Sequence, residues 1–313
     1  MTIKEFAKLV GVSTATVSRV FGHHPNVRRE VRERVLAAAR AHGYSPRLSG
    51  KRKNVVLLVP YRRMYPAPEY VEMVMTELFA TLARRDFRIE VLPADHPDLL
   101  TGSSFHGAVA IGVDAPESWE DKIALPLVTI DRPWNRKRDC FAVHSDEPQG
   151  MKLAIAHLAE RGCAKVGVLI HGTPALGNVE LRRAGATQAL KECGLPDGPN
   201  LVRVADSAAF LEETGKLLRA GVDGLFCCGG SNSGGMAAYC LSLYDRKIPD
   251  DIRLVSSERA RISRYCVPPQ TTISQDYALL AERSVDVLEA ALAGLPVPHE
   301  TTLPYQLIER DST

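Results

Sequence analysis

A chain of 313 residues, 45% of them apolar, is too long for one ordinary domain and long enough to bury two sizeable cores. No apolar run approaches the roughly 18 residues needed to cross a bilayer, and the charged, amphipathic N-terminus has no signal-peptide core, so a cytoplasmic protein without membrane contact is expected. Seven scattered cysteines without C-x-x-C spacing argue against a disulfide framework or a zinc site, and neither a metal nor a cofactor is expected. The formal charge of +2 hides an asymmetry. Residues 1–53 hold twelve Lys or Arg against three acids, a balance of +9, which leaves −7 for the rest of the chain. A strongly basic small module joined to a mildly acidic large one implies that phosphate neutralisation is confined to the N-terminus.

Three short helices are predicted in that basic segment. Ile3, Phe6, Ala7 and Val10 fall at the i, i+3, i+4, i+7 spacing of an apolar helix face, and Thr2 with Glu5 has the form of a capping box. Gly11 ends the first helix and Ser13 caps the second. Val17, Val20 and Phe21 make the inner stripe of the second helix, leaving Thr14, Ala15, Ser18 and Arg19 on the opposite face, which suits a DNA major groove. The third helix, about Arg28 to His42, turns Val31, Val35, Ala38 and Ala39 inward and stops at Gly43.

Beyond the basic linker, apolar runs alternate with helical stretches. The runs are Val55–Val59, Ile89–Leu92, Ala108–Ile111, Leu127–Ile130, Val166–Ile170, Leu201–Val204, Gly224–Cys227 and Arg253–Val255. The helical stretches lie near Glu69–Arg85, Gln149–Arg161, Leu181–Cys193, Phe210–Ala220, Gly235–Asp245 and Tyr277–Ala293. Continuous apolar strands separated by helices imply parallel sheets covered on both faces, and the length favours two doubly wound α/β lobes over one wide sheet. The expected organisation is an all-α headpiece over 1–46, a linker over 47–54 and a body over 55–313. Its first lobe is expected at about 55–147 plus 274–300 and its second at about 148–273 plus 301–313. A ligand should bind in a crevice at the strands' carboxyl ends.

The string Thr2-Ile3-Lys4-Glu5-Phe6-Ala7-Lys8-Leu9-Val10-Gly11-Val12-Ser13-Thr14-Ala15-Thr16-Val17-Ser18-Arg19-Val20, continued by His24-Pro25-Asn26-Val27 and Arg32-Glu33-Arg34-Val35-Leu36-Ala37-Ala38-Ala39, resembles the headpiece of LacI/GalR-family transcriptional regulators. The likeness continues in Asp131-Arg132, Ala156-His157-Leu158-Ala159-Glu160-Arg161-Gly162, Arg182-Arg183-Ala184-Gly185, Pro269-Gln270-Thr271-Thr272-Ile273-Ser274-Gln275-Asp276 and the closing Glu309-Arg310-Asp311-Ser312-Thr313. This resemblance implies a homodimer whose two headpieces read a pseudo-palindromic operator in double-stranded DNA. It also implies a body, similar to periplasmic sugar-binding proteins, that takes a small effector between its lobes. By position, Thr14, Ala15, Ser18 and Arg19 would reach base edges, with Arg19 suited to pair bidentately with guanine. Thr2, Ser13, Thr16 and Asn26 would touch phosphates; for Ser13 this is compatible with its role as an N-cap, and outside the family pattern the basic Arg28, Arg47 and Lys51 are expected to add phosphate contacts. For the effector, the resemblance points to Asp131, Arg182, Phe210, Asn232 and Glu258, a set suited to a sugar or sugar derivative, with Phe210 leaving a purine open.

Three departures from the family pattern stand out. Tyr44-Ser45-Pro46 runs within eight residues into the first strand, too few for the family's hinge helix, so its minor-groove lever is expected to be reduced or absent unless Leu48 serves as the wedge. Arg28 stands where a capping Ser or Thr is usual, at a cost of about 1 kcal/mol. The segment 93–106 leaves room for little more than one helical turn. The glycine-rich Gly229–Gly235 loop is neither a Walker A nor a G-x-G-x-x-G motif, and His23-His24 reads as a solvated turn. No catalytic constellation is present in the sequence, so the expectation is a DNA-binding regulator, a repressor of carbohydrate-utilisation genes, with one alternative: a cytoplasmic solute-binding or sugar-processing protein sharing the two-lobed fold.

Overall fold

The computed structural model describes residues 2–21, 27–42, 44, 53–60, 68–96, 99, 105–113, 125–132, 140–173, 177–229, 232–258 and 262–313. In the headpiece, α1 (Ile3–Val10), α2 (Thr14–Phe21) and α3 (Arg29–Ala41) enclose a core of Phe6, Ala7, Val17, Val20, Val35 and Ala39. The capping box forms as its sequence implies: Thr2 Oγ1 accepts from the Glu5 amide at 3.3 Å, and Glu5 Oε2 accepts from the Thr2 amide at 2.7 Å. Gly11 then takes φ 70°, the left-handed conformation that only glycine adopts at little cost, and α1 stops there. Tyr44, beyond α3, closes the core by stacking on Phe6 with 3.9 Å between ring centroids. Its part in the core was not legible from helical periodicity, because it lies outside every helix.

The body holds two six-stranded sheets. The first contains β1 (Asn54–Val59), β2 (Arg88–Pro93), β3 (Gly107–Ile111), β4 (Leu127–Ile130), β5 (Cys140–Ser145) and β11 (Glu300–Leu303), in the order β11-β5-β4-β3-β1-β2 and parallel throughout. Helices α4 (Pro68–Arg84) and α9 (Tyr277–Leu292) cover one face through Val74, Leu78, Leu280 and Leu288. The second contains β6 (Val166–His171), β7 (Val202–Ala205), β8 (Gly224–Gly229), β9 (Arg253–Ser257), β10 (Thr271–Ser274) and β12 (Gln306–Ile308), in the order β12-β10-β9-β8-β6-β7, with β12 alone antiparallel. Helices α5 (Glu147–Glu160) and α6 (Gly177–Glu192) pack on one face, and α7 (Phe210–Arg219) and α8 (Ser233–Leu243) on the other.

The chain crosses between the sheets three times. Ser274 belongs to the second sheet, and residues 301–303 belong to the first, as part of β11. Strands β10 and β11 are short and rich in Thr, Ser and Glu, and β12 is only three residues long, so no apolar run marked them. They exist because partners distant in sequence pair with them. Strand β5 was likewise not marked. The first two crossings each open a helix with an aspartate cap, Asp146 accepting from the Gln149 amide at 3.0 Å and Asp276 from the Leu279 amide at 2.9 Å. Gln149 holds the third: its Oε1 accepts from the Tyr305 amide at 2.8 Å and its Nε2 donates to the Tyr305 carbonyl at 3.2 Å. All seven cysteines are free, and no helix among the described residues is long and apolar enough to cross a membrane.

Candidate nucleic-acid interface and ligand cleft

Helix α2 divides cleanly by face. Val17 and Val20 are fully buried, whereas Thr14, Ala15, Ser18 and Arg19 are exposed. Ser13 caps the helix, its Oγ accepting from the Thr16 amide at 3.0 Å, and the Ser13 and Thr16 hydroxyls lie 2.8 Å apart. Elsewhere on the headpiece Lys4, Lys8, Arg28, Arg29 and Arg34 are also exposed. Thr2 remains at the surface with its hydroxyl engaged in the capping box. Arg28 stands at the start of α3, its carbonyl accepting from the Arg32 amide at 3.1 Å. Asn26, Arg47, Lys51, Leu48, Gly43 and His23-His24 lie outside the described residues.

In the body, the carboxyl ends of the strands gather the charged residues. Asp131, directly after β4, takes φ 51°, a conformation Asp tolerates better than most side chains. Its Oδ1 accepts from the Ser145 amide at 3.0 Å, while Oδ2 accepts from the Tyr70 hydroxyl at 2.5 Å and from Gln275 Nε2 at 2.7 Å. Gln275 also donates to Ser145 Oγ at 2.9 Å. Asp131 therefore ties together the two segments, at Ser145 and Gln275, where the chain leaves one lobe for the other. Burial first of all, and then the neighbouring carboxylate of Asp131, push the Tyr70 hydroxyl well above the ordinary tyrosine range, so it stays a donor. Arg132 donates to the Asp131 carbonyl at 2.8 Å and to the Gly112 carbonyl, bracing the exits of β3 and β4.

Arg182, on α6, is buried and held bidentately by Glu147 at the start of α5: Nε to Oε2 at 2.8 Å and Nη2 to Oε1 at 2.6 Å. Burial alone would lower its pKa, but the Glu147 carboxylate outweighs that and holds the guanidinium well above its ordinary value. Its Nη1 lies against Gly229, where an added Cβ would come within 3.1 Å of it and within 2.4 Å of the His171 carbonyl, so a larger residue would not fit at the end of β8. Glu258, just past β9, is buried. Its Oε2 meets Arg310 Nη2 at 2.7 Å and accepts from Thr272 Oγ1 at 2.7 Å, while Oε1 has no hydrogen-bond partner among the described residues. Asn232 is exposed at the start of α8 and makes no side-chain cap.

Phe210 corrects its expectation. The ring is 1% exposed, edge-on to His171 at 5.4 Å between centroids, within the core beneath α7 and α8. Asp206 Oδ1 accepts from the Ala208 and Ala209 amides, and the turn so formed starts α7 at Phe210, whose ring is buried against His171 at the end of β6. Glu147, Gln275, Tyr70 and Arg310 were not foreseen as parts of the site. Gln275 and Arg310 sat inside the family-like strings, but a buried acid such as Glu147 looks the same in sequence as a first-turn helix residue.

Residues 2–47 match the bacterial regulatory proteins of the lacI family, and residues 155–313, more than half the chain, match the periplasmic binding protein-like domain. The chain is 26% identical over 339 aligned positions to the HTH-type transcriptional repressor CytR of Escherichia coli (strain K12), covering 100% of this chain and 96% of that protein. Its fold matches that of a transcriptional regulator, the CelR–cellobiose complex, with a TM-score of 0.73 at 23% identity over 100% of both chains. It also matches the lac repressor dimer bound to operator and the anti-inducer ONPF, with a TM-score of 0.66 at 23% identity over 100% of this chain and 98% of that one.

Proposed function

The chain belongs to the LacI/GalR family of DNA-binding transcriptional regulators, not to an enzyme family, and from that premise we propose that it is a repressor of carbohydrate-use genes. It acts as a cytoplasmic homodimer, with one headpiece on each half of a pseudo-palindromic operator and a small effector between the lobes of each body. The observation that carries the DNA reading is the division of α2, with two valines fully buried and Thr14, Ala15, Ser18 and Arg19 exposed on a basic module. In this reading those four meet base edges, Arg19 foremost. Thr2, Ser13, Thr16, Asn26, Arg28, Arg47 and Lys51 set register on phosphates.

The effector set is Asp131, Arg182, Asn232 and Glu258, without Phe210. A ligand between these groups touches both lobes, and Asp131 and Gln275 sit where its binding energy can alter the angle between them. Operator affinity then changes by the effector's differential affinity for the two lobe arrangements. With the hinge helix reduced, headpiece spacing and linker phosphate contacts transmit that change, and Leu48 does not act as a wedge; an operator complex with Leu48 ordered between base steps would overturn this part.

The test of the whole reading is an electrophoretic shift on the promoter region of the protein's own gene, at physiological salt. Specific binding at least about a thousandfold tighter than to random duplex is expected. Equal affinity for both would refute it. Release of the operator by sugars, screened on the same complex, tests the effector.

A further inference from the structure

Building on the effector reading above, we propose that the Glu147–Arg182 pair makes the cleft select an uncharged, hydroxyl-rich effector and reject phosphorylated or carboxylated ones. A guanidinium captures a phosphate or carboxylate most effectively through two parallel N–H bonds. In Arg182 the Nε/Nη2 pair is already closed on Glu147, at 2.8 and 2.6 Å, and both side chains are buried. The charge an anionic ligand would need is neutralised from within. An approaching anion also meets the Glu147 carboxylate, in an interior where like charges repel more strongly than in water. What remains for a ligand is Nη1, beside Gly229, a donor suited to a single hydroxyl oxygen.

The polar atoms left without partners make the complementary argument. Among the described residues, Glu258 Oε1, Asn178 Oδ1 and Ser233 Oγ are buried with no hydrogen bond. Glu258 follows β9, Ser233 opens α8 after β8, and Asn178 lies in the first turn of α6 after β6; the strand order β9-β8-β6 sets these three exits side by side. The Glu258 and Asn178 oxygens accept and cannot donate, so they call for hydroxyl donors, which a phosphate dianion or a carboxylate does not provide. Glu258 is itself balanced by Arg310, at 2.7 Å, so no cation is left over there for an anionic ligand.

The experiment is a thermal-shift titration of the full chain with sodium phosphate against sodium chloride at matched ionic strength. Phosphate raises Tm without saturation as an excluded salt and can also meet the basic headpiece, so wild type is expected to show no saturable rise that Arg182→Lys alters. Glu147→Gln, which keeps the shape beside Arg182 and removes the opposing charge, is expected to gain a saturable phosphate-specific rise in Tm that Glu147→Gln/Arg182→Gln loses. A saturable phosphate rise in wild type that Arg182→Lys alters, or a Glu147→Gln protein indifferent to phosphate, would overturn the proposal. If Glu147→Gln does not fold, wild type against Arg182→Lys decides alone: the same phosphate response in the two proteins supports the proposal, and a saturable rise present in one and altered in the other refutes it. Failure of the effector reading shows elsewhere, as operator that no sugar releases, and leaves the phosphate comparison unchanged.

Discussion

Replacing Arg310 with Ala separates a buried ion pair from a surface one. The Arg310 side chain is 14% exposed and that of Glu258 7%, with 2.7 Å between Nη2 and Oε2; Nη1 donates in addition to the Gln270 carbonyl at 2.5 Å and to Thr272 Oγ1 at 3.1 Å. Truncation strands the Glu258 carboxylate in a site that already leaves its Oε1 unpartnered. Breaking a buried pair by removing one member costs about 3–5 kcal/mol, and because the arginine is partly wetted the lower end, about 3 kcal/mol, is expected. Glu258→Gln/Arg310→Met removes the stranded charge and should recover more than half of that loss. The assay is urea unfolding of the full chain followed by far-UV circular dichroism. Arg29→Ala serves as the reference: its pair with Glu33 lies at 2.7 Å between side chains 91% and 62% exposed, and no measurable change is expected. A loss below about 1 kcal/mol for Arg310→Ala, the range of surface pairs, or a double variant no better than the single one, would refute the reasoning.

At the operator, Arg19→Ala should cost about 1–3 kcal/mol of binding and relax preference at one base position, whereas Arg47→Ala or Lys51→Ala should weaken all sequences alike and lower the salt slope; indistinguishable behaviour in a binding-site selection would sink this division. Burial lowers the pKa of His157, which sits 2.9 Å from Thr313 Oγ1, and of His106. The unfolded chain then binds protons more readily, so their stabilisation is complete above about pH 6.5 and is lost as pH falls through the lower folded values. His157→Gln should therefore flatten the fall in urea stability between about pH 7.5 and 5, and an unchanged slope would contradict it. Gly234→Ala places a Cβ 2.4 Å from Gln270 Oε1 and 2.5 Å from Ser256 Oγ, in a fully buried hydrogen-bonded group, and should destabilise by about 1–3 kcal/mol in the same unfolding assay.

The headpiece helices were legible because the caps, stops and stripes that shape them act over a few residues, Tyr44 on Phe6 being the long-range exception. The Thr2–Glu5 box, the stop at Gly11, the Ser13 cap and the stripes of Phe6, Val17, Val20 and Val35 follow from contacts three or four residues apart, which periodicity and capping chemistry read directly. The continuous apolar runs likewise announced the central strands, since strands buried on both faces have no polar side to show. Tertiary structure alone decided the rest. Short strands such as β11 and β12 gain their hydrogen bonds from partners far along the chain, so their own three or four residues carry no mark of them. The ties that define the cleft, Glu147 with Arg182 across 35 residues and Asp131 with Gln275 across 144, depend on how two sheets are strung through three crossings. Phe210 shows the limit from the other side: its place along the chain suited a ligand contact, but the ring is buried against His171, and close packing claimed it for the core.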